Sequence, residues 1–123
     1  MPAGFNNASG TDWTFNAGTS NATQTVARPS SSTTDDIVVV LRHHSAGSAG
    51  ISSGTVDANL TTGLYLATGT TSQHAQYRRI TSSSDQSSGW GWSSSGSSWA
   101  HAAVRITGCE TSGNPFTPGT LNG

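Results

Sequence analysis

Apolar residues in this chain fall in short runs, alternating or continuous, separated by stretches of Ser, Thr and Gly. Trp13 and Phe15 alternate with polar neighbours in TDWTFN, as a half-buried strand requires. A second short strand is predicted over 23–27 and stops before Pro29. The run DIVVVLRH at 36–43 places Ile37, Val38, Val39, Val40 and Leu41 in succession, which predicts a strand covered on both faces. A helix is excluded there because the run is short, β-branched and bounded by turn residues. Further strands are predicted at 63–68, 73–80, 90–92 and 99–106.

Alternation assigns the faces of these later strands. Ala75, Tyr77 and Arg79 share one face, and His74, Gln76, Arg78 and Ile80 the other. Ala100, Ala102, Val104 and Ile106 face one way, and Trp99, His101, Ala103 and Arg105 the other. Trp90 and Trp92 are interleaved with Gly89 and Gly91, a pattern that predicts close approach of another backbone. The expected core is Ile37, Val38, Val39, Val40, Leu41, Trp90, Trp92, Val104 and Ile106. Short strands at this spacing, with polar turns and no helical period, predict an all-β fold. The expected architecture is an antiparallel β-sandwich of jelly-roll or Ig-like type. The domain is expected over 13–108, between an N-terminal arm at 1–12 and a C-terminal arm at 109–123.

Composition narrows the partners. Charged residues make up 9% of the 123 residues, against about 25% in ordinary soluble proteins. All five basic residues are arginines, scattered along the chain and set against six acids. Nucleic-acid binding needs clustered cations to neutralise phosphates, so no nucleic-acid partner is expected. No apolar stretch approaches a membrane span, and no membrane partner is expected. MPAGFNNASG has neither a charged start nor an apolar run, so the expectation is folding in the cytoplasm without export. Cys109, the single cysteine, cannot form an internal disulfide. The three Asn-X-Ser/Thr triplets, at Asn7, Asn21 and Asn59, arise by chance in so Ser/Thr-rich a chain.

Candidate chemistry is sparse. His43 and His44 are adjacent, so on a strand they point to opposite faces and cannot share one ion. His74 or His101 could approach either of them across strands. Asp35, Asp36, Asp57 and Asp85 could add carboxylates, but none of these residues has a metal-ligand spacing. Serine is abundant enough that a Ser near a His carries no signal, and the acids form no evident pair across a cleft. No enzyme, metal or cofactor is expected. Trp90, Trp92 and Trp99 could stack on sugar rings if exposed; filling the core is the expected alternative for Trp90 and Trp92.

The segments TFNAGTSNATQTVA, TTDDIVVVLRHH, GLYLATGTTSQHAQYRRI and SSGWGWSSSGSSWAHAAVRITG occur in that order. As a set, over 13–108, they resemble a β-sandwich domain of tailed-bacteriophage virion proteins, of the capsid decoration and minor tail protein type. The resemblance lies in an acidic turn before an aliphatic strand, the Tyr77-Arg78 pair, and a Trp-containing strand ahead of an alanine-rich strand running from Ala100 to Gly108. One departure is that GISSGTVDANLTTG stands where the family pattern has a Pro-Ser-Gly-Trp segment. The resemblance implies a virion structural protein without catalytic residues, and specifically a decoration (cement) protein that binds and stabilises the capsid shell. It implies the major capsid protein as partner, a homo-oligomer with a trimer favoured, and a place on the capsid surface after assembly in the host cytoplasm. Phe5, Trp13, Phe15 and Phe116 are then the expected contact anchors, since aromatics dominate interfaces. The alternative is a host-binding or glycan-binding module on a tail or fibre tip.

Overall fold

The computed structural model describes residues 11–19, 24–45, 60–68, 71–92 and 98–112, with side chains at all of these positions except 45, 62–68, 72 and 92. The described strands are β1 (Trp13–Gly18), β2 (Gln24–Val26), β3 (Ile37–Ser45), β4 (Thr61–Thr68), β5 (Thr71–Arg79), β6 (Trp90–Trp92) and β7 (Ser98–Ile106). No helix occurs among the described residues, and every strand pairing is antiparallel. A five-stranded sheet has the order β1-β7-β3-β5-β4, and β2 pairs with β6 in a separate two-stranded sheet. The fold is therefore all-β and sandwich-like, with one large sheet and one small one.

The small sheet covers one face of the large one. Val26 of β2 and Trp90 of β6 join Val38 and Val40 of β3, Ala103 of β7, Leu60 and Ile80 in a single buried cluster. Burying each of the larger side chains is worth about 1.5–3 kcal/mol. Gly89 lets β6 approach β2. Its φ is +76°, and a Cβ there would stand 2.2 Å from the Val26 carbonyl oxygen. The backbone approach predicted from the glycines flanking Trp90 occurs at this residue. Side chains of β1 tie the two sheets together: Thr14 Oγ1 donates to the Ala27 carbonyl, and Asn16 Nδ2 donates to the Thr25 carbonyl at 2.8 Å.

Two arginine networks close the end of the sheet at Ile37. Arg105 donates from Nε to Asp36 Oδ2 at 2.7 Å and from Nη1 to Asp12 Oδ1 at 3.1 Å, with both acids buried. Arg78 holds Asp85 through two nitrogens, at 2.8 and 3.0 Å, and Asp85 also accepts from the Thr81 amide. Arg28 donates to the Asp85 and Ser83 carbonyls, pinning the 81–89 loop.

The structure corrects the expected core in three respects. Leu41 is 45% exposed, and Val39, Val104 and Ile106 are only half-buried. The cause is coverage: β2 and β6 are three residues each and shield one face of the large sheet. The run 37–41 was expected to be covered on both faces; Ile37, Val38 and Val40 are buried as expected, but on the outer face cover is incomplete at Val39 and missing at Leu41. The buried face of β7 is the one carrying Trp99, His101 and Ala103. Asp12, assigned to the N-terminal arm, is 4% exposed and part of the fold through Arg105. The side chain of Trp92 lies outside the described residues.

Candidate functional site

The large sheet has two faces of opposite character. On the inner face, beyond the apolar cluster, the sequence places polar residues in register. Arg42 of β3 pairs with His101 of β7 on one side and with His74 of β5 on the other. His44, two residues on, shares the same face and pairs with Trp99. All of these residues are buried, as is Gln76. The Nε2 atoms of His44 and His101 lie 3.1 Å apart, so one ring donates its proton to the other. The two rings stack at a centroid distance of 5.3 Å, and Trp99 tilts against His101 at 4.9 Å. Arg42 Nη1 donates to Gln76 Oε1 at 3.2 Å. Gly18 gives the Trp99 indole its place, since a Cβ there would stand 2.8 Å from the ring.

Burial sets the charge state of this cluster. It pushes the His44 imidazole down to about 4, with the Arg42 charge adding to the effect, and the same two causes push His101 down to about 3. Burial and then Arg42 also lower His74. The histidines are therefore neutral at ordinary pH. Shut off from solvent, they act as packing and hydrogen-bonding groups rather than as proton donors to a dissolved substrate. Among the described residues no group of three or more His, Cys, Asp or Glu could hold a metal ion.

The outer face is open. Phe15 is 61% exposed and Leu41 45%. With Ala75, Ala100, Ala102, His43 and Gln73, and with Arg42, His74 and His101 of the neighbouring phase, they line a groove of about 450 Å³. Trp13, Val39, Tyr77 and Val104 extend the apolar surface toward the other end of the strands and are half-buried. Among the described residues of this face, no charged side chain intervenes between the Val39 and His43 register rows. Contiguous exposed apolar surface is a common feature of protein contact sites.

His43 and His44 do point to opposite faces: His43 is exposed on the outer one and His44 buried on the inner one. His101 meets His44, a cross-strand approach that the sequence left open. Of the expected contact anchors, Phe15 and Trp13 lie on the outer sheet face, and Phe5 and Phe116 lie outside the described residues. Trp90 and Trp99 are buried, so neither belongs to an exposed sugar platform. Sequence reasoning missed Leu41 and the alanines of β5 and β7 as surface. The signal was present in the matched phases of Leu41, Ala75 and Ala102, but it required the strand order. Compared with known proteins, the chain matches no family model, no curated protein and no solved structure.

Proposed function

We propose that this chain is a virion structural protein of a tailed bacteriophage, a capsid decoration protein that binds the shell and stabilises it without catalysis. One observation carries the structural half of this reading: a rigid five-stranded sheet presents an uncharged apolar face around Phe15 and Leu41. Such a face has a free-energy reason to be covered by protein. The sequence resemblance over 13–108 supplies the phage half. In this reading the major capsid protein is the shell partner, and the chain acts as a homo-oligomer on the capsid surface. Many modest contacts, each near 800 Å² per partner or below, suffice because repetition over the shell multiplies them.

The test is co-sedimentation of the purified chain with mature capsids that lack it, followed by heating. The expected result is saturable binding at a fixed copy number per capsomer and a higher temperature of shell disruption. Absence of binding at saturating protein overturns the proposal.

A further inference from the structure

Phe15 of β1, Ala102 of β7, Leu41 of β3 and Ala75 of β5 are successive register partners across the outer face. Large residues thus stand on β1 and β3, and alanines on β7 and β5. With strands about 4.8 Å apart, ridges recur about every 10 Å with a groove one strand away from each. We infer that the occupant of this face is a second copy of the same face, packed sheet on sheet across a two-fold axis.

The relief is self-complementary. A second copy shifted by one strand lays its Leu41 ridge in the Ala102 groove and receives the first copy's Leu41 in its own. That is the reciprocal contact that a two-fold interface requires. The layer is about 10 Å thick, as in other aligned sheet packings. The area is that of a weak, reversible dimer. Four strands overlap after the one-strand shift, and at about 4.8 Å per strand and five residues at about 3.4 Å they give roughly 330 Å² of plan area per copy. Side-chain relief adds to this, so a pair buries somewhat less than about 1,000 Å², the size of transient contacts. Between the Val39 and His43 rows the described residues of this face offer no charge by which to select an unlike partner, and two copies of it meet there without repulsion. The run 37–41 carries the hydrophobicity of a strand covered on both sides, and a second copy supplies the outer cover that Val39 and Leu41 lack.

This inference rests on the reading of the outer face as a protein contact surface and assigns its occupant. Sedimentation equilibrium over a wide concentration range tests it, on the wild type, on Leu41→Glu and on Thr25→Glu at an exposed position of β2. Leu41→Glu brings like charges together at the two-fold and is expected to weaken association by about 100-fold or more, with Thr25→Glu unchanged. Circular dichroism melts establish that each variant is folded. Phe15→Glu takes the place of Leu41→Glu if the latter melts early. A concentration-dependent dimer lost only in the outer-face variants supports the inference. A wild type that stays monomeric, forms a trimer, or dimerises equally well with Glu at Leu41 or Phe15 overturns it. Capsid co-sedimentation separates the two readings. A dimer that ignores capsids removes the decoration role and leaves the two-fold contact. A monomer that binds capsids does the reverse.

Discussion

Arg105 shows at the scale of a residue how so small a protein holds its end closed. Its guanidinium joins Asp12, Asp36 and Ser31, elements far apart in sequence. Removing one partner of a buried ion pair leaves an uncompensated charge, so Arg105→Ala should cost about 3–5 kcal/mol in urea unfolding. Gly89 is equally constrained. Gly89→Ala puts a Cβ against the Val26 carbonyl at a positive φ, and a loss of about 2–4 kcal/mol is expected in the same measurement. The histidine cluster makes stability depend on pH. The folded values for His44 and His101 lie near 4 and 3, below the ordinary 6.5. Between those values the unfolded chain binds protons that the folded chain refuses. Stability is therefore full above the ordinary value and declines as pH falls toward the folded ones. Unfolding near pH 5.5 should show a loss of about 2–3 kcal/mol relative to neutral pH. In His101→Leu that slope should flatten, because one of the protonations that His44, His74 and His101 resist in the folded chain is gone.

At the scale of elements, the sequence placed strands at the positions of β1 to β7 because alternation and turn residues are local signals. DIVVVLRH became β3, the strand paired on both sides near the middle of the large sheet. The alternative helical reading failed because the run is short, β-branched and bounded by turn residues. Face assignment within strands also held: His74 with Gln76, and Trp99 with His101 and Ala103, lie together on the inner face. Which face would be covered was not legible. Val104 and Ile106 look more core-like than His101 and Ala103, yet the latter are buried because β2 and β6 lie on their side. That choice depends on the crossover of strand order, in which β7 inserts between β1 and β3, and no local pattern encodes it. The register of His44 against His101 was hidden for the same reason. The tryptophans misled in part. Trp99, weighed as a possible sugar-stacking residue, is packed over Gly18 and against His101.

At the scale of the molecule, the described residues form an asymmetric pair of sheets, with the inner face of the large one covered by the small one and an outer face that exposes Phe15 and Leu41; we propose that a partner covers the latter. The short β2 and β6 lie on the inner one. The central claim is that Phe15 and Leu41 are surface in the isolated chain and interior in the working assembly. Hydroxyl-radical footprinting, comparing dilute protein with assembled protein, tests this most directly. The account predicts that Phe15 and Leu41 are labelled when the chain is dilute and protected on assembly, while exposed positions such as Thr81 and Glu110 are labelled equally in both. Equal labelling of Phe15 and Leu41 in the two states would contradict it.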